Sequence, residues 1–232
     1  MSDVVLETKR LSKYFYDPIK FQVLKEINMA VNHGEFVSIV GKSGVGKTTL
    51  LKMLFAEEKP TKGEVFFNDV NIASMTSNDI AILRRQVGVV FQDFKLLPKL
   101  TAYENVAFAL EVGGYSDEKI KEEVPEVLKL VGLQDRANNF PHQMSIGEKQ
   151  RIAIARAIIQ KPDILIADEP TGNLDPINTW EIIRLLLKIN ELGTAVILST
   201  HDKDIVNTLG RRVITLENGI VTRDEEKGKY IL

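Results

Sequence analysis

The stretch Gly41-Lys42-Ser43-Gly44-Val45-Gly46-Lys47-Thr48 follows the apolar run Phe36-Val37-Ser38-Ile39-Val40 and precedes Thr49-Leu50-Leu51-Lys52-Met53-Leu54. Its glycines let the chain curl so that successive backbone N–H groups face inward. With the N-terminus of the following helix they form a cradle for phosphate oxygens. A strand before the loop and an amphipathic helix after it are the setting of a P-loop. In that setting the main chain from Gly41 to Thr49 wraps the phosphates, and Lys47 lays its ammonium on the β- and γ-phosphates. The Thr48 hydroxyl becomes a magnesium ligand. A chain organised this way has to be α/β, because a buried strand must deliver the loop and a helix must carry the chain away from it.

Length and composition narrow the class without naming an activity. The 232 residues are enough for one α/β domain with a sizeable core and perhaps a subdomain, and too few for two full domains. Apolar residues at 44% and charged residues at 27% are ordinary globular usage, and no low-complexity run or internal repeat interrupts them. A net charge of −2 disfavours a broad electrostatic footprint for nucleic acid, so no nucleic-acid partner is expected. Without cysteine there is no disulfide framework, thiolate metal site or thiol nucleophile to consider. The segment Met1 to Glu7 lacks a basic n-region, and no apolar run approaches the roughly 20 residues that span a bilayer, so a membrane role is expected to come through a partner.

In chain order, Val4 to Leu11 and Val23 to Val31 read as strands of a small sheet, with a turn at Asp17-Pro18 between them. Tyr14, Phe15 and Tyr16 lie in this part: one ring could stack on a purine, or all three could simply pack a strand face. Gly63 to Asn68 reads as a further strand, and Ser77 to Arg85 as a short helix capped by Ser77 or Asn78. Val87 to Phe91 is a buried-strand run ending at Gln92, where an α/β sheet places ligand-facing groups. Residues 93–160 change character: Thr101 to Val112 and Ser116 to Val131 have helical spacing, which suggests a helical insertion. Ser145 with Glu148 three residues on reads as a capping box opening another helix, whose N-terminus is free to face an anion.

The run Ile164-Leu165-Ile166-Ala167-Asp168-Glu169 describes a central strand that presents adjacent carboxylates at its C-terminal end. Asp168 suits magnesium, leaving Glu169 to orient and polarise an attacking water. Thr194 to Thr200 is another buried strand ending at His201, a candidate for the γ-phosphate. Arg212 to Leu216 and Ile220 to Thr222 flank Glu217-Asn218-Gly219, a hairpin signal.

Taken together, these motifs resemble the ATP-binding cassette (ABC) family. The P-loop, Gln92, Ser145-Ile146-Gly147-Glu148, Asp168-Glu169, Asn173-Leu174-Asp175 and His201 stand in that family's order and spacing across essentially the whole chain. The resemblance implies an α/β ATPase of one domain over 1–232: a RecA-like parallel-sheet core, an N-terminal antiparallel β subdomain and a helical subdomain at about 93–160. It implies ATP and Mg2+ as cofactors, with Thr48, Gln92 and Asp168 around the metal and Glu169, His201 and Gln92 as catalytic groups. It also places Tyr14 on the adenine. Ser145, Gly147 and Glu148 would meet the ATP of a second copy in a head-to-tail homodimer, and Asp175 would tie the two sites together. Where the family's signature usually reads Leu-Ser-Gly-Gly, this chain has Met144-Ser145-Ile146-Gly147. A β-branched residue there restricts the backbone and adds bulk, so slow or partner-dependent hydrolysis is expected.

Phe91-Gln92-Asp93-Phe94-Lys95-Leu96-Leu97-Pro98 with Thr101-Ala102-Tyr103-Glu104-Asn105-Val106 is similar to the cell-division branch of that family, the FtsE type. This implies an ATPase subunit on the cytoplasmic face of the membrane, held there by an integral FtsX-type partner that regulates peptidoglycan hydrolysis. Phe94, Leu97 and Tyr103 are the candidate docking anchors. The alternatives are the ATPase of a lipoprotein-releasing or macrolide-type exporter, and a division-site scaffold with little hydrolysis.

Overall fold

The computed structural model describes residues 3–16 and 20–230. Val4–Tyr16 (β1) pairs antiparallel with Lys20–Asn32 (β2) and with Lys62–Phe67 (β4); Val70–Asn71 (β5) completes a sheet of order β2-β1-β4-β5. The Asp17-Pro18 turn falls outside the described residues. β1 continues well past the expected end at Leu11, so Tyr14, Phe15 and Tyr16 are strand residues. Register shifts between Thr8 and Tyr14 break the two-residue alternation, and with it the sequence signal.

The second sheet carries Phe36–Val40 (β3), Val87–Val90 (β6), Ile164–Asp168 (β7), Ala195–Thr200 (β8), Arg212–Glu217 (β9) and Ile220–Glu225 (β10). Its order is β10-β9-β3-β8-β7-β6, parallel throughout except for the edge strand β10. β10 returns from β9 through Asn218 (φ 48) and Gly219 (φ 75). Two successive positive φ values are what a tight hairpin turn of this twist demands, and Asn-Gly supplies them at low cost.

Both faces of the parallel sheet are covered, which is why its strands are apolar runs with little alternation. Ile164 and Ile166 of β7 point to one side, where Leu50, Leu51, Met53 and Leu54 of α1 (Lys47–Leu54) meet the antiparallel sheet. Leu165 and Ala167 point to the other. There they join Val106 and Leu110 of α3 (Ala102–Gly113), Val124 and Leu128 of α4 (Asp117–Leu130), Ile154 of α5 (Ile146–Ile158) and Leu186 of α6 (Pro176–Glu191). Lys203–Leu209 (α7) follows β8. The Arg212 guanidinium ties the two sheets: it donates to Ala30 O and Glu35 Oε1, both at 2.8 Å, and forms a two-pronged pair with Asp224 at 2.7 Å. These contacts, the Asp224 bond first among them, raise its pKa above the ordinary guanidinium value.

The helix at 77 differs from expectation at its start. Ser77–Gln86 (α2) is capped by Thr76, whose hydroxyl accepts from Asp79 N while the Asp79 carboxylate accepts from Thr76 N. Only an acid three residues after the cap reciprocates, and that selects Thr76 over Ser77 and Asn78. The chain between β6 and α3 is held by Asn105, buried on α3. Its side chain accepts from Leu97 N and donates to the carbonyls of Leu97, Leu100 and Thr101. Leu97 O also accepts from Leu100 N and Thr101 O from Asn105 N, so Leu97 N and Leu100 O are the groups that depend on this side chain, each worth about 1–3 kcal/mol if left unpaired.

Candidate active site

The P-loop leaves β3 and enters α1 with Gly41 at φ 156, Gly44 at φ 78 and Gly46 at φ 107. At Gly41 an added Cβ would lie 2.4 Å from Leu216 O of β9, so the loop is pressed against the sheet and only glycine fits. Gly46 caps α1 without a side-chain oxygen, which leaves the first-turn N–H groups of the helix for an anion. Lys42, Ser43, Gly44 and Thr48 are exposed, Val45 and Thr49 half-buried. Lys42 to Val45 also line a cavity of about 580 Å³ shared with Phe21, Gln22 and Val23 of β2 and with the β9–β10 turn. Tyr14 is half-buried on β1, with the Lys20 ammonium 4.5 Å from its ring centre.

Lys47 is 6% exposed. Its Nζ donates to Gly41 O at 2.8 Å and to Lys42 O at 3.3 Å, and lies 3.4 Å from Glu169 Oε1. The loop's own carbonyls thus aim the ammonium back into the cradle. Glu169 stands just past the end of β7 with φ 48, a left-handed conformation that costs a non-glycine residue on the order of 1–3 kcal/mol. Its N–H still donates to Ser199 O at 3.0 Å, extending the sheet by one bond while the side chain turns toward the P-loop. Glu169 Oε2 is 2.8 Å from His201 Nδ1, so one carboxylate touches both the P-loop lysine and the histidine after β8. A carboxylate accepts, so Nδ1 carries the hydrogen in this pair.

Asp168 Oδ1 is buried with no hydrogen-bond partner. An unpaired buried carboxylate oxygen beside a phosphate cradle fits a hard divalent cation, and the exposed Thr48 hydroxyl at the start of α1 is a second oxygen of the right kind. Among the described residues no group of three His, Asp or Glu forms a cage. Magnesium does not need one, since phosphates and water supply most of its ligands. Gln92 is exposed, with its Nε2 3.2 Å from where a Cβ on Gly172 would sit, in the loop that follows Glu169.

Ser145 and Gly147 open α5. The capping box is complete, Glu148 N donating to Ser145 Oγ and Ser145 N to Glu148 Oε2 at 2.8 Å. The Ser145 N–H holds the Glu148 carboxyl below the usual range, and Arg136 pairs with it at 3.3 Å. Glu148 is therefore taken up by the helix start. Ile146 adopts ordinary helical backbone, with no positive φ to favour glycine, so the expected backbone restriction does not operate. Its bulk remains, 49% exposed beside Ser145. No hydrogen bond of Ser145 among the described residues reaches the P-loop. The contact of this turn is with α6 instead: a Cβ on Gly147 would fall 2.2 Å from Asn178 Oδ1. Asn178 in turn bonds Asp175, which caps α6 by accepting from Ile177 N and Asn178 N. Asn178, Asn105 and Arg156, which binds the loop after Gln92, are partners that the sequence reading missed.

A family model described as ABC transporter matches residues 24–172. The chain belongs to the ATP-binding cassette family. The cell division ATP-binding protein FtsE of Bacillus subtilis is 51% identical over 226 residues, covering 97% of this chain and 98% of that protein. FtsE of Streptococcus pneumoniae strain D39 is 54% identical over 207 residues, covering 89% and 90%. Among solved structures, a dimeric cassette in a post-hydrolysis state bound to ADP and Pi matches with a TM-score of 0.87 and 37% identity, covering 97% of this chain and 100% of that one. The parallel core, the antiparallel sheet and the helical layer are thus those of an ABC ATPase cassette, and ATP hydrolysis is its activity.

In this cassette Gly147→Ala must push Asn178 aside, which costs roughly 1–3 kcal/mol of stability as overpacking. Asn178→Ala removes the clashing oxygen. Thermal unfolding of both single variants and the double should show the double more stable than the sum by about 1 kcal/mol or more. Additivity would separate the turn at Ser145 from α6.

Proposed function

We propose that this chain is the ATP-hydrolysing subunit of a cell-division complex, closing on ATP as a head-to-tail homodimer and passing that motion to an integral membrane partner of the FtsX type. Support for the cell-division role comes from the FtsE relatives and the near full-length coverage between them and this chain. The single observation that carries the chemistry is the Glu169 carboxylate shared between Lys47 and His201 at the mouth of the phosphate cradle.

In this reading the P-loop amides and Lys47 bind the β- and γ-phosphates, and Tyr14 stacks on the adenine. Thr48 and Asp168 would hold Mg2+, which would supply charge neutralisation on the phosphate oxygens. Glu169 orients a water and takes its proton as the water oxygen bonds to the γ-phosphorus. The bond from that phosphorus to the β,γ-bridging oxygen breaks, leaving ADP and phosphate. His201 fixes the rotamer of Glu169 and completes the contacts around the γ-phosphate, while Gln92 would sense the attacking water and the cation. Ser145 and Gly147 complete the site of the opposite copy, and Asp175 links the two sites. The whole of 1–232 acts as one ATPase unit, with the helical layer between β6 and β7 as its moving subdomain.

The partner docks in the cleft between α2 and α3. Leu97 lines it together with Ala81, Arg84, Arg85, Phe108 and Val112, and Phe108 and Val112 are exposed there. Tyr103 packs against the helical core and Phe94 does not line the cleft, so the anchoring falls to Leu97, Phe108 and Val112. Such a partner keeps the chain on the cytoplasmic membrane face; no described helix is long and apolar enough to cross a bilayer. Regulation of peptidoglycan hydrolysis is the output. A second reading, a scaffold with little hydrolysis, is favoured by the bulk of Ile146 beside Ser145.

Lys47→Ala should lower ATP affinity by roughly a hundredfold, since it removes the side-chain cation of the cradle. Glu169→Gln should keep ATP binding within a few-fold and reduce turnover at least about a hundredfold. Fluorescent-nucleotide titration and phosphate release measure both. Wild-type affinity in the first, or wild-type turnover in the second, contradicts the assignment.

A further inference from the structure

Beyond β6 the chain makes a turn that its own residues do not favour. Phe94 (φ 59) and Lys95 (φ 48) are consecutive non-glycine residues in the left-handed region, where Cβ crowds the following carbonyl. Two such residues in a row persist only where surrounding structure holds them. The hold comes from α5. Arg156 donates from Nη2 to Phe94 O at 2.9 Å and from Nη1 to Lys95 O at 2.7 Å.

That guanidinium is half-buried, and no carboxylate is among its partners within the described residues. Its burial pulls its pKa below the ordinary value, so the protein bears a desolvation cost at this position. What the fork receives in exchange is two carbonyls of a strained turn. The next part of the loop is fixed separately, by Asn105 on Leu97, Leu100 and Thr101. Gln92, two residues before Phe94, thus belongs to a segment pinned to α5 on one side, with its amide beside the Glu169 loop at Gly172 on the other. Arg156 also lines the cleft that contains Leu97.

We propose that Arg156 is a positioning residue: it fixes the Gln92 loop to α5, so that Gln92 over the chain's own ATP and Ser145 offered to the second copy's ATP move as one body. This rests on the reading of Gln92 as a group facing the γ-phosphate. Arg156 touches no nucleotide itself. Its contribution is that a shift of α5, or a partner seated on Leu97, reaches Gln92 through two hydrogen bonds and not through a slack loop.

The test is steady-state ATP hydrolysis by the purified full chain with Mg2+. Arg156→Lys keeps a cation but cannot span both carbonyls with one ammonium. It should lower kcat roughly tenfold, leave KM for ATP within about threefold, and preserve the far-UV circular dichroism. Lys95→Gly relieves the left-handed turn, because glycine adopts positive φ freely. Added to Arg156→Lys it should recover kcat by about threefold or more, while alone it changes kcat less than about twofold. A merely structural arginine would give no such recovery in kcat. Wild-type kcat in Arg156→Lys, or a loss that Lys95→Gly does not relieve, overturns the proposal. Gln92→Ala separates the two layers: if it lowers kcat about tenfold while Arg156→Lys does not, Arg156 alone is misassigned. If Gln92→Ala leaves kcat unchanged, the reading of Gln92 has failed and the proposal with it.

Discussion

A triphosphate carries more negative charge than one lysine offsets, so everything in this chain depends on main-chain N–H groups converging at the end of β3. That convergence needs left-handed glycines at 44 and 46 and a loop pressed so close to Leu216 that position 41 has no room for a Cβ. The rest of the molecule holds this turn in place. α1 anchors it from behind through Leu50, Leu51, Met53 and Leu54, and β8 and β9 flank β3 in the parallel sheet. β6, β7 and β8 run parallel, so Gln92, Asp168, Glu169 and His201 follow strand ends at the same edge of the sheet, where Glu169 meets Lys47 and His201.

Several unusual features fall beside this arrangement, though others, such as the positive φ of Arg10, Glu26 and Lys161, lie elsewhere. Glu169 bears a positive φ so that its carboxylate reaches Lys47 and His201, Asp168 leaves a buried oxygen unpaired, and Phe94 and Lys95 are turned against their preference. The turn at Ser145 packs on α6 through Gly147 and Asn178, and no hydrogen bond of Ser145 among the described residues reaches the P-loop.

What the sequence disclosed was what is local. The P-loop, the Asp168-Glu169 strand end and the Asn218-Gly219 hairpin are written in consecutive residues whose type and spacing admit few conformations. The same held for the capping box at Ser145. Contacts across long separations were not readable: Asn105 bonding Leu100 and Leu97, Arg156 reaching back to Phe94, and Asn178 against Gly147 depend on which helices pack together. Thr76 was missed as the α2 cap because Thr76, Ser77 and Asn78 are all good caps and only the partner Asp79 distinguishes them. Ile146 looked like a backbone problem, but its φ is helical, and the constraint of this turn lies one residue later, at Gly147. Register shifts in β1 hid how far that strand extends toward Tyr14.

The central claim is that two copies of the chain are needed to complete one site, with ATP between them. Sedimentation velocity of the Glu169→Gln chain tests it most directly, because ATP then persists long enough to report its effect on assembly. With ATP and Mg2+ the account predicts a species at twice the 26.1 kDa of one chain, which disappears when ATP is replaced by ADP. A chain that binds ATP and stays at the mass of one copy would contradict it.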